Sequence, residues 1–287
     1  MLNTHSETFF NRARPYAEAA TVIFGAPFDS TTSFRPGTRF ASRSMRAESF
    51  GLESYSPYQD RDLEDTASYC DSGDLELCFG SSVAALAAIE ERAAHILQDN
   101  KRPFMIGGEH LVTLGAFRAA LQRHPDIHVI HFDAHADLRE DYLGEPLSHA
   151  TVMRRVWDLV GDGRIHQFGI RSGTQEEFRW AKEHTHLHSF SFAGLESTVQ
   201  MLAGKPVYFT LDLDVLDPAE FPGTGTPEAG GVRFVELLHA IFAVCGLNIV
   251  ACDMNELAPI YDQSGASTAV ALKLLRETLL ALPPLRF

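Results

Sequence analysis

The segment Ile127 to Asp137 reads IHVIHFDAHAD. Its first half is an apolar strand, and its end carries Asp133, His135 and Asp137, spaced two apart. In an extended chain alternate residues point to the same side, so the three would converge as metal ligands at one strand end. A solvated turn explains one aspartate there but not the series. Val207 to Pro218 reads VYFTLDLDVLDP, with Asp212 and Asp214 inside an otherwise apolar strand. Burying two carboxylates on one face is costly unless they bind a cation. Asp217, beside Pro218, suits a capping or turn role. Phe104 to His110 reads FMIGGEH, and His110 lies where a helix would begin, as a sixth ligand.

Two histidines and four aspartates form an oxygen-rich set with some imidazole. This suits manganese better than structural zinc, which would want cysteine. Six ligands are too many for one catalytic zinc and fit two adjacent divalent ions. Two such ions give +4, four aspartates −4 and a shared hydroxide −1, so the centre would accept a cationic electrophile. Metals roughly 3.5–4 Å apart lower the pKa of a shared water and make hydroxide at neutral pH.

Other residues have competing roles. His149, in LSHAT, is either a proton shuttle beside the metals or an exposed loop histidine. His131 lies deeper in its strand and reads as a satisfied core histidine. His184, His186 and His188 alternate in HTHLH without nearby acidic ligands, which argues against a second metal site. Glu256, in DMNELAP, either pairs with a cationic substrate or sits on the surface. Pro222 to Thr226 (PGTGT) lacks the context of a phosphate loop, and no Walker A, dinucleotide fingerprint or G-x-S-x-G elbow is present.

These groups need a scaffold. Short apolar runs at Ala20–Ala26, Pro103–Ile106, Ile127–Phe132, Ile165–Ile170, Val207–Leu213 and Asn248–Cys252 predict strands. Helical spacing appears over Ser81–Gln98, Leu111–Gln122 and Thr268–Leu282. Such alternation implies a parallel sheet covered on both faces, with the active site at the carboxyl ends of its strands.

Composition bounds the rest. The 287 residues are 45% hydrophobic and 22% charged, as in an ordinary soluble globular chain. The 24 basic and 38 acidic residues give a formal charge of −14, unfavourable for nucleic-acid binding. Cys70, Cys78, Cys245 and Cys252 form no CxxC pair and read as reduced, mostly buried thiols. Met1 to Tyr16 has no apolar signal core, and Leu237 to Cys252 is broken by His239, Gly246 and Asn248. A cytoplasmic protein with no membrane partner is expected.

Taken together, the motifs resemble the ureohydrolases, the family that includes arginase and agmatinase. The similarity is carried by GGEH (Gly107–His110), DAHAD (Asp133–Asp137), DLDVLDP (Asp212–Pro218), PGTGTPEAGG (Pro222–Gly231) and the E-x-A-P of Glu256 to Pro259. It extends upstream through SFRPGTRFASRSMR and SYSPYQDRDLED, and so covers nearly the whole chain. SFRPG, DLREDYLGEPLSHATVMRR and FGIRSG look most like the bacterial agmatinase branch.

The resemblance implies a single domain over residues 1–287. It implies a three-layer α/β/α fold with a mainly parallel, doubly wound sheet of about eight strands. It further implies two Mn²⁺ per subunit, hydrolysis of agmatine to putrescine and urea, a place in polyamine synthesis, and a homo-oligomer, trimer or hexamer. His110, Asp133, His135, Asp137, Asp212 and Asp214 match the metal ligands. His149 matches the proton-transfer histidine, and Glu256 matches the acid that binds the guanidinium. Asp137 would donate directly to the leaving amine, with His149 as relay.

There are two departures from the family pattern. Ala150 stands where glycine often follows the histidine, and Asn255 where a small apolar residue is common. Neither removes a functional group. The nearest alternative substrates are guanidinobutyrate, guanidine and arginine, and Arg35 in SFRPG is a candidate clamp for a substrate carboxylate. A two-metal phosphoesterase would need a basic phosphate loop, which is missing. A non-catalytic subunit would not need the full set of ligands and catalytic groups.

Overall fold

Val22, Ile23 and Phe24 are consecutive and all fully buried, which requires cover on both faces of their strand. The computed structural model describes residues 8–11 and 13–285. Its strands are β1 (Thr21–Gly25), β2 (Tyr55–Ser56), β3 (Arg61–Asp62), β4 (Tyr69–Asp74), β5 (Arg102–Ile106), β6 (His128–Phe132), β7 (Ile165–Ile170), β8 (His186–Ser189), β9 (Pro206–Asp212) and β10 (Asn248–Asn255). Its helices are α1 (Ala41–Ser49), α2 (Leu63–Thr66), α3 (Ser82–Gln98), α4 (Thr113–Arg123), α5 (Val152–Val160), α6 (Gln175–His184), α7 (Leu195–Met201), α8 (Phe234–Cys245) and α9 (Ala266–Ala281).

Eight strands form one sheet in the order β4-β1-β5-β10-β9-β6-β7-β8, and every adjacent pair is parallel. Alternate side chains feed two separate cores. Ile23, Phe104, Ile130 and Phe209 pack with Met45, Ile241 and Leu275 of α1, α8 and α9. Val22, Met105, Val129 and Tyr208 pack with Ile89, Phe117 and Val156 of α3, α4 and α5. This is the expected three-layer α/β/α arrangement. The chain passes from β5 to β6 across a gap that β10 and β9 later fill. That reversal puts a switch point, where ligands bind in such sheets, at the carboxyl ends of the four central strands.

Two strands of the eight-stranded sheet escape an apolar-run criterion, as do the short β2 and β3. β4 (YCDSGD) and β8 (HLHS) are polar because they are the sheet's edges. The late apolar stretch divides between α8 and β10, and no helix among the described residues is long and apolar enough to cross a membrane. All four cysteines are free, with Cys70, Cys245 and Cys252 buried and Cys78 exposed.

Imidazoles line the β6–β7–β8 edge. The His166 and His186 rings stack at 4.7 Å and 7°, and His128 Nδ1 lies 3.3 Å from His166 Nε2. Burial, then the neighbouring histidines, pushes His166 down to about 3. Burial, then Lys205, pushes His128 down to about 4. Between those values and the unfolded pKa near 6.5, the unfolded chain binds more protons, so stability falls as pH falls through this window. From pH 7 to pH 5, His166 accounts for a loss of about 2 kcal/mol. His166→Asn should therefore lose about that much less stability than wild type in urea unfolding at the two pH values. Equal losses would refute the assignment.

Candidate metal centre and pocket

The site lies where β5, β6, β9 and β10 end. Gly107 and Gly108 follow β5. A Cβ on Gly107 would collide with Asn255 Oδ1, and one on Gly108 with the backbone of Phe28, so only glycine lets these chains approach. They deliver His110 to a 3₁₀ turn (His110–Val112) leading into α4, as its helix-start position predicts.

His110 is buried, and its Nδ1 lies 2.9 Å from Asp133 Oδ2, 3.2 Å from Asp212 Oδ2 and 3.3 Å from Asp137 Oδ2. On the other side of Asp133, His135 Nδ1 lies 3.5 Å from Asp133 Oδ1 and 3.0 Å from Asp214 Oδ2. The structure thus brings together all six candidate ligands. They form two adjoining groups with Asp133 between them.

The route by which they converge differs from simple strand alternation. β6 stops at Phe132, so Asp133 to Asp137 lie beyond it, and Asp137 has φ 54. A non-glycine residue there is strained by roughly 1–3 kcal/mol. The Asp137 carbonyl accepts bonds from Met153 and Arg154 N–H at the start of α5, which hold it in place. Asp214 likewise is not in a strand. β9 ends at Asp212, and Asp214 sits in a 3₁₀ turn (Leu213–Val215). Its Oδ1 accepts Ala134 N–H, joining the two ligand loops. Asp217 has the expected turn role, accepting N–H groups of Ala219, Gly230 and Gly231.

Hydrogen bonding decides what the donor set can hold. Tyr208 OH and Asn255 Nδ2 donate to Asp253, and so does the Thr210 hydroxyl (2.6 Å). With its proton committed, Thr210 Oγ1 accepts Nε2–H of His110 at 2.8 Å. His110 Nδ1 then faces three carboxylate oxygens. Burial works against an imidazolium, but Asp133, Asp137 and Asp212 raise its pKa well above the usual value, so the position is one for a proton or a metal cation. Burial, then Asp133, pushes Asp137 up to about 7, and burial, then Asp214, raises Asp212 well above the carboxylate range. The cluster's imidazole nitrogens and carboxylate oxygens could hold metal.

His131 is buried and satisfied, as expected, but not remote from the site. Gln167 Nε2 donates to Ala136 O and to His131 Nδ1, so His131 carries its proton on Nε2 and donates to Asp133 Oδ2 at 2.7 Å. That tautomer orients a ligand and leaves Nε2 no lone pair for metal. His184, His186 and His188 do not converge. They bond or stack with Asp162, His166 and Phe168 respectively.

Beside the centre is a pocket of about 220 Å³, lined by Ser33, His135, Asp137, Arg139, Tyr142, His149, Glu177 and Thr226 among others. His149 is half-buried on its wall, with Nε2 3.0 Å from Ser33 Oγ. It is not a free loop histidine. Burial, then His135 and His110, pushes it down to about 4, so its ring is neutral at pH 7. The PGTGT turn covers the centre, with Thr226 Oγ1 3.4 Å from Asp214 Oδ2. Arg35 donates to the Thr224 and Gly225 carbonyls and stacks on Tyr261, which makes it a strut for that turn.

Glu256 is 5% exposed, which overturns the surface alternative, because β10 runs on to Asn255 and carries it inward. It has φ 65, and its Oε1 accepts His110 N–H at 2.8 Å. Burial, then Asp214 and Glu109, raises its pKa well above the usual range. Asn255, the departure from the family pattern, donates to Thr113 and Asp253 and fills the space Gly107 leaves.

Residues 19–281 match the arginase family. The chain belongs to that family. It is a ureohydrolase. It is 48% identical over 281 residues to the agmatinase of Bacillus cereus, covering 96% of this chain and 97% of that one. It is 34% identical over 274 residues to the guanidinobutyrase of Pseudomonas aeruginosa, covering 91% and 86%. The agmatine ureohydrolase of Thermoplasma volcanium superposes with a TM-score of 0.85 at 34% identity, covering 98% of this chain and 94% of that one.

Sequence reasoning missed Glu109, Thr31, Gln167, Glu177 and Asp253. Glu177 accepts Leu138 N–H and Thr174 N–H, fastening the DAHAD loop to α6. Its only signal was a capping-box spacing from Thr174.

Proposed function

We propose that the protein hydrolyses agmatine to putrescine and urea, with His110, Asp133, His135, Asp137, Asp212 and Asp214 holding two Mn²⁺. When bound, the ions would supply a water acidic enough to act as nucleophile at neutral pH. The chain's own groups do the rest. Glu256 holds the guanidinium by charge-assisted hydrogen bonds and orients its carbon toward the ligand cluster. Water adds to that carbon, the C–N bond to the alkyl chain breaks, and the departing amine takes a proton. Asp137 donates it, and His149 passes protons to and from solvent.

The observation that carries the choice of agmatine is the charge lining the pocket. Beyond the ligand Asp137 its acid is Glu177, and the one guanidinium lining it among the described residues, Arg139, lies 3.6 Å from Glu177 and stacks on Tyr142. Among the described residues no lysine lines it, and Arg35 is engaged elsewhere. A cationic tail suits such a pocket better than a carboxylate. Arg139 is also the observation that favours guanidinobutyrate as the second reading, because a carboxylate tail could draw it from Glu177.

Urea release from manganese-loaded protein on agmatine, guanidinobutyrate, arginine and guanidine in parallel separates them. Agmatine should exceed the others by at least tenfold in kcat/KM. A larger value for guanidinobutyrate would keep the chemistry and reverse the tail assignment. We further propose a cytoplasmic homo-oligomer, trimeric or hexameric, serving polyamine synthesis.

His149→Ala should keep its metal and lose about 10²-fold or more in kcat, the scale of a lost proton-transfer group. Unchanged kcat would remove His149 from the mechanism.

A further inference from the structure

Glu109 neighbours His110 in sequence, yet its carboxylate serves the opposite side. It is fully buried and accepts three hydrogen bonds, from Thr31 N–H (2.9 Å), Thr31 Oγ1 (2.6 Å) and Thr32 Oγ1 (3.1 Å). An acid at that depth is tolerable only when so bonded. It therefore fixes the loop joining β1 to α1. That loop is also closed at its far end, where Asp29 accepts N–H bonds from Gly37 and Arg39 and pairs with the Arg39 guanidinium.

The Thr31 hydroxyl gives its proton to Glu109, so its oxygen is an acceptor toward everything else. It accepts the backbone N–H of His149 at 3.1 Å. Two residues on, Ser33 Oγ lies 3.0 Å from His149 Nε2. One loop thus grips His149 at its backbone and at its ring. We propose that Thr31, locked by Glu109, is a positioning residue that sets where the His149 imidazole stands over the pocket. The proposal rests on His149 being the proton relay.

Displacement of a reacting group by about 1 Å costs up to 10²-fold in rate. Thr31→Val keeps the shape and removes the hydroxyl. It should lower kcat about 10- to 100-fold, with KM and manganese content within twofold of wild type. Thr31→Ser should restore kcat to within twofold. Glu109→Gln, which keeps the size and removes the charge, should lower kcat in the same direction with manganese retained.

In a His149→Ala background, Thr31→Val should cause no further loss. Full kcat in Thr31→Val beside a slow His149→Ala would overturn the proposal alone. So would a Thr31→Ser variant as slow as Thr31→Val, or additive losses in the double variant. Full kcat in His149→Ala would instead overturn the relay assignment, and the proposal with it.

Discussion

Asp133→Ala will empty the centre of metal and end urea release. Asp133 is the one carboxylate shared by both ligand groups, with one oxygen toward His110 and the other toward His135. Burial works against its charge, but His131, His110 and His135 outweigh burial and hold its pKa well below the usual carboxylate value. Supporting residues around a metal typically change affinity about 10- to 100-fold. Loss of a carboxylate common to two ions should exceed that range. Metal analysis after manganese loading and desalting should find the variant depleted, and the urea assay should find it inactive. Wild-type manganese content in Asp133→Ala would show that the six residues do not form a shared centre.

Glu256→Gln should separate binding of substrate from binding of metal. The substitution keeps an oxygen for the His110 N–H and removes the charge. Glu256 is buried beside Asp214 and Glu109, and burial, then those two carboxylates, raises its pKa well above the usual range. A bound guanidinium would offset these carboxylates. Removing one partner of a buried ion pair costs about 3–5 kcal/mol, or roughly 10²- to 10⁴-fold in kcat/KM. Manganese content should stay at the wild-type level. Kinetics on agmatine within twofold of wild type, with metal retained, would show that Glu256 does not hold the guanidinium.

The ligands were legible because of where acids stood. Asp212 closes an apolar strand, and Asp133 follows one directly, positions where a carboxylate is rare without a counter-charge. Their convergence was legible only in outline. It depends on β6 and β9 being neighbours, and on turns beyond both strands, where two-residue alternation no longer applies. The depth of Glu256 was hidden for a related reason. Asp253 and Asn255 make the end of β10 look like a loop, whereas the Asp253 carboxylate accepts from Thr210 and Tyr208 of β9 and the Asn255 amide N–H donates to Thr113 of α4. The edge strands β4 and β8 carried no apolar signal because each has a sheet neighbour on one side only. Glu109 and Thr31 were invisible for a third reason. They are 78 residues apart, and nothing local marks either as the other's partner.

Titration of metal-free protein with manganese, following urea release from agmatine against metal bound per chain, tests the central claim most directly. Two groups of ligands sharing Asp133 predict that activity reaches its plateau at two ions per chain and disappears on chelation. Full urea release from chelated protein, or a plateau at a single ion per chain, would contradict it.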